Sequence, residues 1–457
     1  MINPLINKYK VKLNRNLHLK EILFGSANTL LLKVLGMVLA LGVTLLISRK
    51  YGAEGIGLYN LSVRTIVFLA LTSTLGINTA ILRYAGDFSK KGNEQKLKLL
   101  IKYSIQIVLP VSILFGLLLF ITSDLIANSL FHNIKYKILL RILSFILPFL
   151  ALLNINVEYI RGLKLIKISE FFRSVSSPII NIILLTTIGL FVHTYLLPFY
   201  TVSMAIITTT IASVIFILKK IQNIPDHSHN AFTKNELLKT SLPMMVIALV
   251  IFLQMYIPLY FLEAYTSTDQ VGIFFVSLRI AALISLVLIA VNTISAPKFS
   301  ELYWSNQHHE LQKVIFHSSK LMFIISLIIA VILVIFSHNI LKVFGIDFIK
   351  GETTIFILIA GFVINSISGS VGILLNMTGH QKNFRNILLM ILPINILLNI
   401  FFIPLYGING AAIVMTVSIS LANIIPVIYC IKKLNLVTFY LPYISKIIIE
   451  SNSLKNN

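Results

Sequence analysis

Basic side chains inside apolar runs are the residues of this sequence best placed to do chemistry. Arg64 closes the stretch RKYGAEGIGLYNLSVR and Arg279 closes VGIFFVSLR, each between long hydrophobic segments. One shift of 215 carries Gly57, Ser62 and Arg64 onto Gly272, Ser277 and Arg279, and carries Arg83 onto Lys298. Lys33 is a further cation within an apolar run, whereas Lys102 and Arg141 lie near the ends of theirs, where a long side chain can snorkel to headgroups. An ionisable side chain at mid-membrane costs at least about 2.5–3.5 kcal/mol and so needs a function or a partner. The chemistry that suits these residues is capture of an anion. The planar arginine fork gives bidentate, charge-assisted hydrogen bonds to a phosphate and keeps its proton at physiological pH, and lysine adds a point charge. Helical neighbours of Arg64 (Asn60, Thr65, Ala70) and of Arg279 (Ala281, Ala282, Ser285) are small or polar, as on faces that pack against helices or line water. Glu158 and Glu263, single acids near the ends of apolar runs, are the competing explanation: they could neutralise the cations as buried pairs, or relay protons or sodium ions. Cations within the runs outnumber acids, which favours a basic cavity over simple pairing.

Such residues need helices to hold them in lipid. The chain has 457 residues, 57% hydrophobic and only 12% charged, with a mean hydropathy of +0.90, far from the roughly 25% charged of a globular domain. The sequence is that of an all-α polytopic membrane protein. Only helices and closed barrels satisfy their backbone in lipid, and about twelve runs reach the length a helix needs to span the bilayer. They fall at 23–48, 58–84, 100–123, 138–160, 174–192 and 197–218, then at 240–262, 271–297, 316–336, 354–377, 386–404 and 410–431.

Charge orders these runs. Lys and Arg number 38 against 16 Asp and Glu, and the excess sits mainly in the even-numbered loops, with Lys90, Lys91, Lys96 and Lys98, Arg161 to Arg173, and Lys219 to Lys239 in the first half. The positive-inside rule accounts for this pattern, places both termini in the cytoplasm and removes the need for a nucleic-acid partner. The odd loops are poorer in cations, though Arg49, Lys50, Lys135, Lys137, Lys342 and Lys350 lie there. The longest hydrophilic interval, 219–239, divides six runs from six. The expected organisation is a cytoplasmic N-terminal segment (1–22), a first six-helix bundle (23–218), a cytoplasmic linker (219–239), a second bundle (240–431), and a cytoplasmic or interfacial tail (432–457). Gly162 and Gly379, and Asn181 and Asn399, extend the repeat at offsets of 217 and 218. An even number of spans per half gives repeats of the same orientation, related by a pseudo-two-fold axis along the membrane normal.

Other chemistries find little support. No G-x-x-x-x-G-K-[ST] phosphate loop is present, and G-x-G at 55–57 lacks a third glycine and a βαβ setting. His227 with His229, and His308 with His309, lie in loops without cysteine and with few acids, so they read as solvated side chains rather than metal ligands. The single cysteine, Cys430, excludes an internal disulfide. No cofactor or metal is expected, and no loop is long enough for a soluble catalytic domain. The run from Leu23 to Ser48 is too long for a cleaved signal and reads as a retained first span. Residues 434–450, broken by Pro442, read as an interfacial segment rather than a thirteenth span.

The order and spacing of SANTLLLKVLGMVLALGVTLLISRKYGAEGIGLYNL, LGINTAILRYAG, RGLKLIK and IPLYGINGAAIVMTVS resemble the polysaccharide transporter branch of the multidrug/oligosaccharidyl-lipid/polysaccharide exporter superfamily, the Wzx-type O-antigen flippases. The resemblance covers nearly the whole chain. It implies two six-helix bundles around a central cavity in the inner membrane, and as substrate an oligosaccharide on undecaprenyl diphosphate, flipped for O-antigen, capsule or exopolysaccharide assembly. It implies that Lys33, Arg64, Arg83, Arg279 and Lys298 line the cavity. Partners implied are the lipid-linked oligosaccharide, membrane lipids, and the polymerase and chain-length machinery of the same pathway. Lipid II flippases usually show fourteen spans, more than are counted here, and drug exporters bind mostly organic cations, which a basic cavity would repel. A cation-coupled small-molecule exporter is the alternative from the same superfamily. Protons, sodium ions and the membrane potential all remain open as the source of direction.

Overall fold

The computed structural model describes residues 17–222, 224, 232–445 and 447, with side chains from residue 29 onward. Lys8, Lys10, Lys12 and Arg15 of the basic N-terminal segment, His227 and His229 of the linker, and residues 446 and 448–457 of the tail lie outside the described residues.

Among the described residues the chain is helical, with no strand. Eight helices are long and apolar enough to cross a membrane, and two bent pairs bring the number to ten: Lys135–Ser144 with Leu147–Gly162 (50°) and Ile346–Ser368 with Val371–Met377 (41°). Two of the eight are themselves divided. Leu17–Ser73 breaks at Gly52 (φ 68°) and Gln381–Tyr429 breaks at Gly407 (φ 55°), backbone angles that suit glycine because it lacks a Cβ. The apolar part of the first, Thr29–Ser73, has 45 residues, and as a straight rod would measure about 68 Å, over twice the roughly 30 Å hydrocarbon core. Counting both arms of each divided helix raises ten spans to the expected twelve, in two six-helix bundles.

The repeat is visible as a reciprocal contact between the second and eighth spans. A Cβ on Gly57 would run into the carbonyl oxygen of Thr268, and a Cβ on Gly272 would run into that of Ala53. Gly57 and Gly272 are 215 apart, and so are Ala53 and Thr268. The contact is therefore self-complementary, the signature of a two-fold relation, with one half-interface supplied by each bundle. Ser62 and Ser277, the next matched pair, are both fully buried.

The largest hydrophobic core joins the bundles at the odd-loop end. The largest core runs through Val43 to Ile66, Leu119 to Leu147 and Leu185 to Ile206 of the first bundle, and continues through Leu259 to Ile284, Ala330 to Phe362 and Ile403 to Met415 of the second. These residues border the odd-numbered loops. At the even-loop ends one smaller core, Ile77 to Ile217, continues into Phe232 and Leu237, so the second and seventh spans meet there, with the Tyr84 hydroxyl 2.9 Å from that of Thr240, and a further core runs from Phe299 to Leu436.

Five of the six cations of the odd loops, which run against the charge rule, have partners at that end. Lys135 pairs with Glu54 at 2.6 Å, Lys137 with Asp124 at 2.9 Å and Lys350 with Asp347 at 3.7 Å. Arg49 donates to the carbonyl of Val343 and Lys50 to that of Gly189. These bonds also gather the first, third, fifth and ninth loops onto one face. At the opposite end the chain after the twelfth span is anchored over residues 436–438, while Tyr443, Ile444 and Ile447 beyond them are exposed. Leu436, Val437 and Thr438 are buried, with Gln312 donating to and accepting from the Val437 backbone (2.9 and 2.8 Å), Ser319 donating to the Thr438 carbonyl (2.6 Å), and Tyr440 N–H donating to Ile367 (2.9 Å). A non-helical segment is stable there because its backbone groups find partners.

Candidate functional site

A cavity of about 540 Å³ lies between the bundles, walled by the first and fifth spans on one side and the seventh and eighth on the other, a size usual for a ligand pocket. Its charged side chains are Lys33, Glu170, Arg173 and Arg279. Glu170 is only 1% exposed, and Arg173 approaches it at 3.6 Å and Glu158 at 2.6 Å, with Arg161 at 3.8 Å from Glu158. Arg173 is thus occupied by two acids. Lys33 and Arg279 have no carboxylate partner among the described residues, so the wall is left with one unpaired cation from each bundle.

Arg64 reaches the same place from the second span. Its guanidinium lies 4.4 Å from the ring centroid of Tyr256 and 5.7 Å from that of Phe275, and Arg279 lies 5.7 Å from the Phe275 ring. The two repeat-related arginines therefore share one aromatic ring. Cation–π attraction of this kind is worth up to about 2 kcal/mol when desolvated, enough to hold two like charges near each other without neutralising either. The Nε of Arg64 is buried and has no hydrogen-bond partner among the described residues.

The remaining expected cavity residues are elsewhere. Arg83 is exposed on the helix Ile77–Lys90, and Lys298 is exposed and pairs with Glu301 at 3.0 Å. The geometry explains this: each lies nineteen residues beyond its arginine, a helical rise of about 28 Å, so neither shares the arginines' depth. The proposed neutralising acids are not on the arginines either. Glu158 is bound by Arg173 and Arg161, and Glu263, 4% exposed, accepts a 2.6 Å hydrogen bond from Thr268 while its other oxygen has no partner.

Glu170, Arg173, Tyr256 and Phe275 escaped the sequence reading as site residues. The apolar run that begins at 174 leaves Arg173 in a loop, but the helix begins at Ile166 and passes through a π-helical turn at Phe171–Ser176. That places Lys167, Glu170 and Arg173 on an intramembrane helix; a four-residue spacing between the acid of ISE and the serine of FRS is the available signal.

The fold is that of transporters of the MOP superfamily. An inward-facing multidrug resistance transporter of the MATE family matches with TM-score 0.69 at 16% identity, over 94% of this chain and 100% of that one. Lipid II flippase MurJ, in an inward closed conformation, matches with TM-score 0.71 at 18% identity, over 94% of this chain and 91% of that one. A MOP superfamily transporter from Pyrococcus furiosus, described as having a binding pocket of reverse polarity that suggests a different function, matches with TM-score 0.65 at 16% identity over 95% and 96%. No curated protein matches the sequence significantly. A family model described as polysaccharide biosynthesis protein matches residues 22–303.

Proposed function

Because this chain belongs to the polysaccharide biosynthesis protein family, we propose that it is a flippase for undecaprenyl-diphosphate-linked oligosaccharide repeat units. It turns them from the cytoplasmic to the periplasmic leaflet of the inner membrane, for assembly into O-antigen, capsule or exopolysaccharide by the polymerase and chain-length machinery of that pathway. The observation that carries the reading is the pair of unpaired cations on opposing walls of one cavity, Lys33 and Arg279, with Arg64 against the same ring as Arg279.

A diphosphate is costly to drag through hydrocarbon. Lys33, Arg64 and Arg279 would replace its water with charge-assisted hydrogen bonds, while the polyprenyl chain stays in lipid. The protein lowers a crossing barrier and breaks no bond, so it is a transporter and not an enzyme. The large shared core at the odd-loop ends, against a smaller junction of the second and seventh spans at the even-loop ends, supports a state closed toward the periplasm, with both termini on the other side. Rocking of one bundle against the other would then expose the cavity to the periplasm. A small organic cation is a poor alternative cargo, since it would meet Lys33 and Arg279 before any free acid. For ion coupling, Glu263 is the better candidate, because no ion pair to it occurs among the described residues whereas Glu158 is paired with Arg173 and Arg161.

The test is complementation in a strain lacking its own flippase, with surface polymer scored against protein level. Lys33→Ala, Arg64→Ala and Arg279→Ala are each expected to lose most polymer at normal protein abundance. Full polymer from Arg64→Ala and Arg279→Ala would defeat the proposal.

A further inference from the structure

The two matched arginines are not placed alike toward the basic cavity. Arg279 is part of its wall; Arg64, half-buried, is not, although Tyr256 and Phe275, the rings against which it lies at 4.4 and 5.7 Å, both are. The repeat locates the difference. The shift of 215 carries Met37 and Leu41 of the first span onto Phe252 and Tyr256 of the seventh, and Phe68 of the second span onto Leu283 of the eighth. Met37, Leu41 and Leu283 line the cavity. Their counterparts stack on one another instead, with the Tyr256 ring 4.8 Å from that of Phe252 and the Phe252 ring 5.7 Å from that of Phe68. The seam of the first and eighth spans is thus aliphatic and hollow where the seam of the second and seventh carries three rings in a row.

Leu41 therefore stands to Arg279 as Tyr256 stands to Arg64, and only the tyrosine offers a π-face. A guanidinium on such a face is already bound, the more firmly where water is excluded. A phosphate that recruits it must first break that contact, and apparent affinity falls by the fraction of time the arginine spends under the ring. Phe252 and Phe68 back the tyrosine on the side of the seam, so the ring has support in the position where it covers Arg64.

We propose that Tyr256 is a positioning residue, a cap that holds Arg64 in reserve until a diphosphate enters beside Arg279. Two phosphate groups present two bidentate faces, and the two-fold relation of the bundles supplies one guanidinium fork for each. The first phosphate meets Lys33 and Arg279 in the open wall. The second draws Arg64 from the ring, and the return of Arg64 to the ring helps the cargo leave. The inference rests on the reading of this cavity as a diphosphate site and adds the residue that sets how tightly the site grips.

The experiment is calorimetric titration of the purified full-length protein in detergent with farnesyl diphosphate. Tyr256→Leu, which installs the residue of the matching seam, should bind about tenfold more tightly than the wild type, the size of a desolvated cation–π contact. Tyr256→Phe keeps the aromatic face and should restore affinity to within about twofold of the wild type. In an Arg64→Ala background, Tyr256→Leu should change affinity by about twofold or less, which separates a freed arginine from a merely larger cavity. No tightening in Tyr256→Leu, equal tightening in Tyr256→Phe, or tightening that survives Arg64→Ala overturns the cap. Should Tyr256→Leu be lost on size exclusion, Tyr256→Met is read by the same three outcomes. If farnesyl diphosphate binds the wild type and binds Tyr256→Leu no more tightly, the cap alone falls; if it binds neither protein, the reading of the cavity as a diphosphate site falls with it.

Discussion

Alanine at either of the two matched glycines should force the second and eighth spans apart. A Cβ on Gly57 meets the Thr268 carbonyl oxygen and, at 3.1 Å, the Gly272 nitrogen; one on Gly272 meets the Ala53 carbonyl oxygen and, at 2.8 Å, the Ile56 side chain. Three of these four obstacles are backbone, so no rotamer change relieves them and a helix must shift. Overpacking of this kind costs about 1–3 kcal/mol, partly masked by the gain of up to about 1 kcal/mol from replacing glycine by alanine in a helix. Gly86, whose added Cβ would meet nothing within 4 Å, supplies the control. Gly57→Ala and Gly272→Ala should each fall below Gly86→Ala by the full overpacking cost. Because one outward movement relieves both clashes, the double variant should be less destabilised than the two singles added together, by about 0.5 kcal/mol or more. Cys430 is the single cysteine and is fully buried, so labelling of its thiol during urea unfolding in bicelles reads global stability directly. Singles that match Gly86→Ala, or a strictly additive double, would refute a reciprocal contact.

Arg173→Ala strips Glu158 and the buried Glu170 of their shared partner and should destabilise by about 3–5 kcal/mol, read as loss of folded protein on size exclusion. Gln312→Leu removes both hydrogen bonds to Val437 and should cost about 1–3 kcal/mol for the groups left unpaired, seen as faster protease cleavage near residue 437. Lys298→Ala removes only an exposed pair with Glu301 and should leave polymer output at the wild-type level in the complementation assay.

Hydrophobic run length made the spans legible, and the shift of 215 carried information about space as well as sequence, since Gly57 meets Gly272 and Arg64 shares an aromatic ring with Arg279. The same shift misled at Arg83 and Lys298, because a matched offset fixes symmetry and not depth. Arg173 was hidden by the polar start of its helix: hydropathy ends a span where charges begin, whereas Glu158 and Glu170 let this helix continue. The anchoring of the tail was not legible for a related reason. Residues 436–438 look interfacial by composition, and only the side chains of Gln312 and Ser319, more than a hundred residues earlier, reveal that their backbone has partners inside the bundle.

The uneven distribution of apolar packing sets a resting preference. Opening the odd-loop face means parting Leu61, Phe274 and Val276, all fully buried now, and wetting surfaces that water does not touch. At the even-loop face the junction is smaller, with Phe232 and Leu237 completing a core of the first bundle. An empty carrier built this way idles with its latch shut on one side, and the work of releasing it must come from whatever it binds or from a gradient it taps.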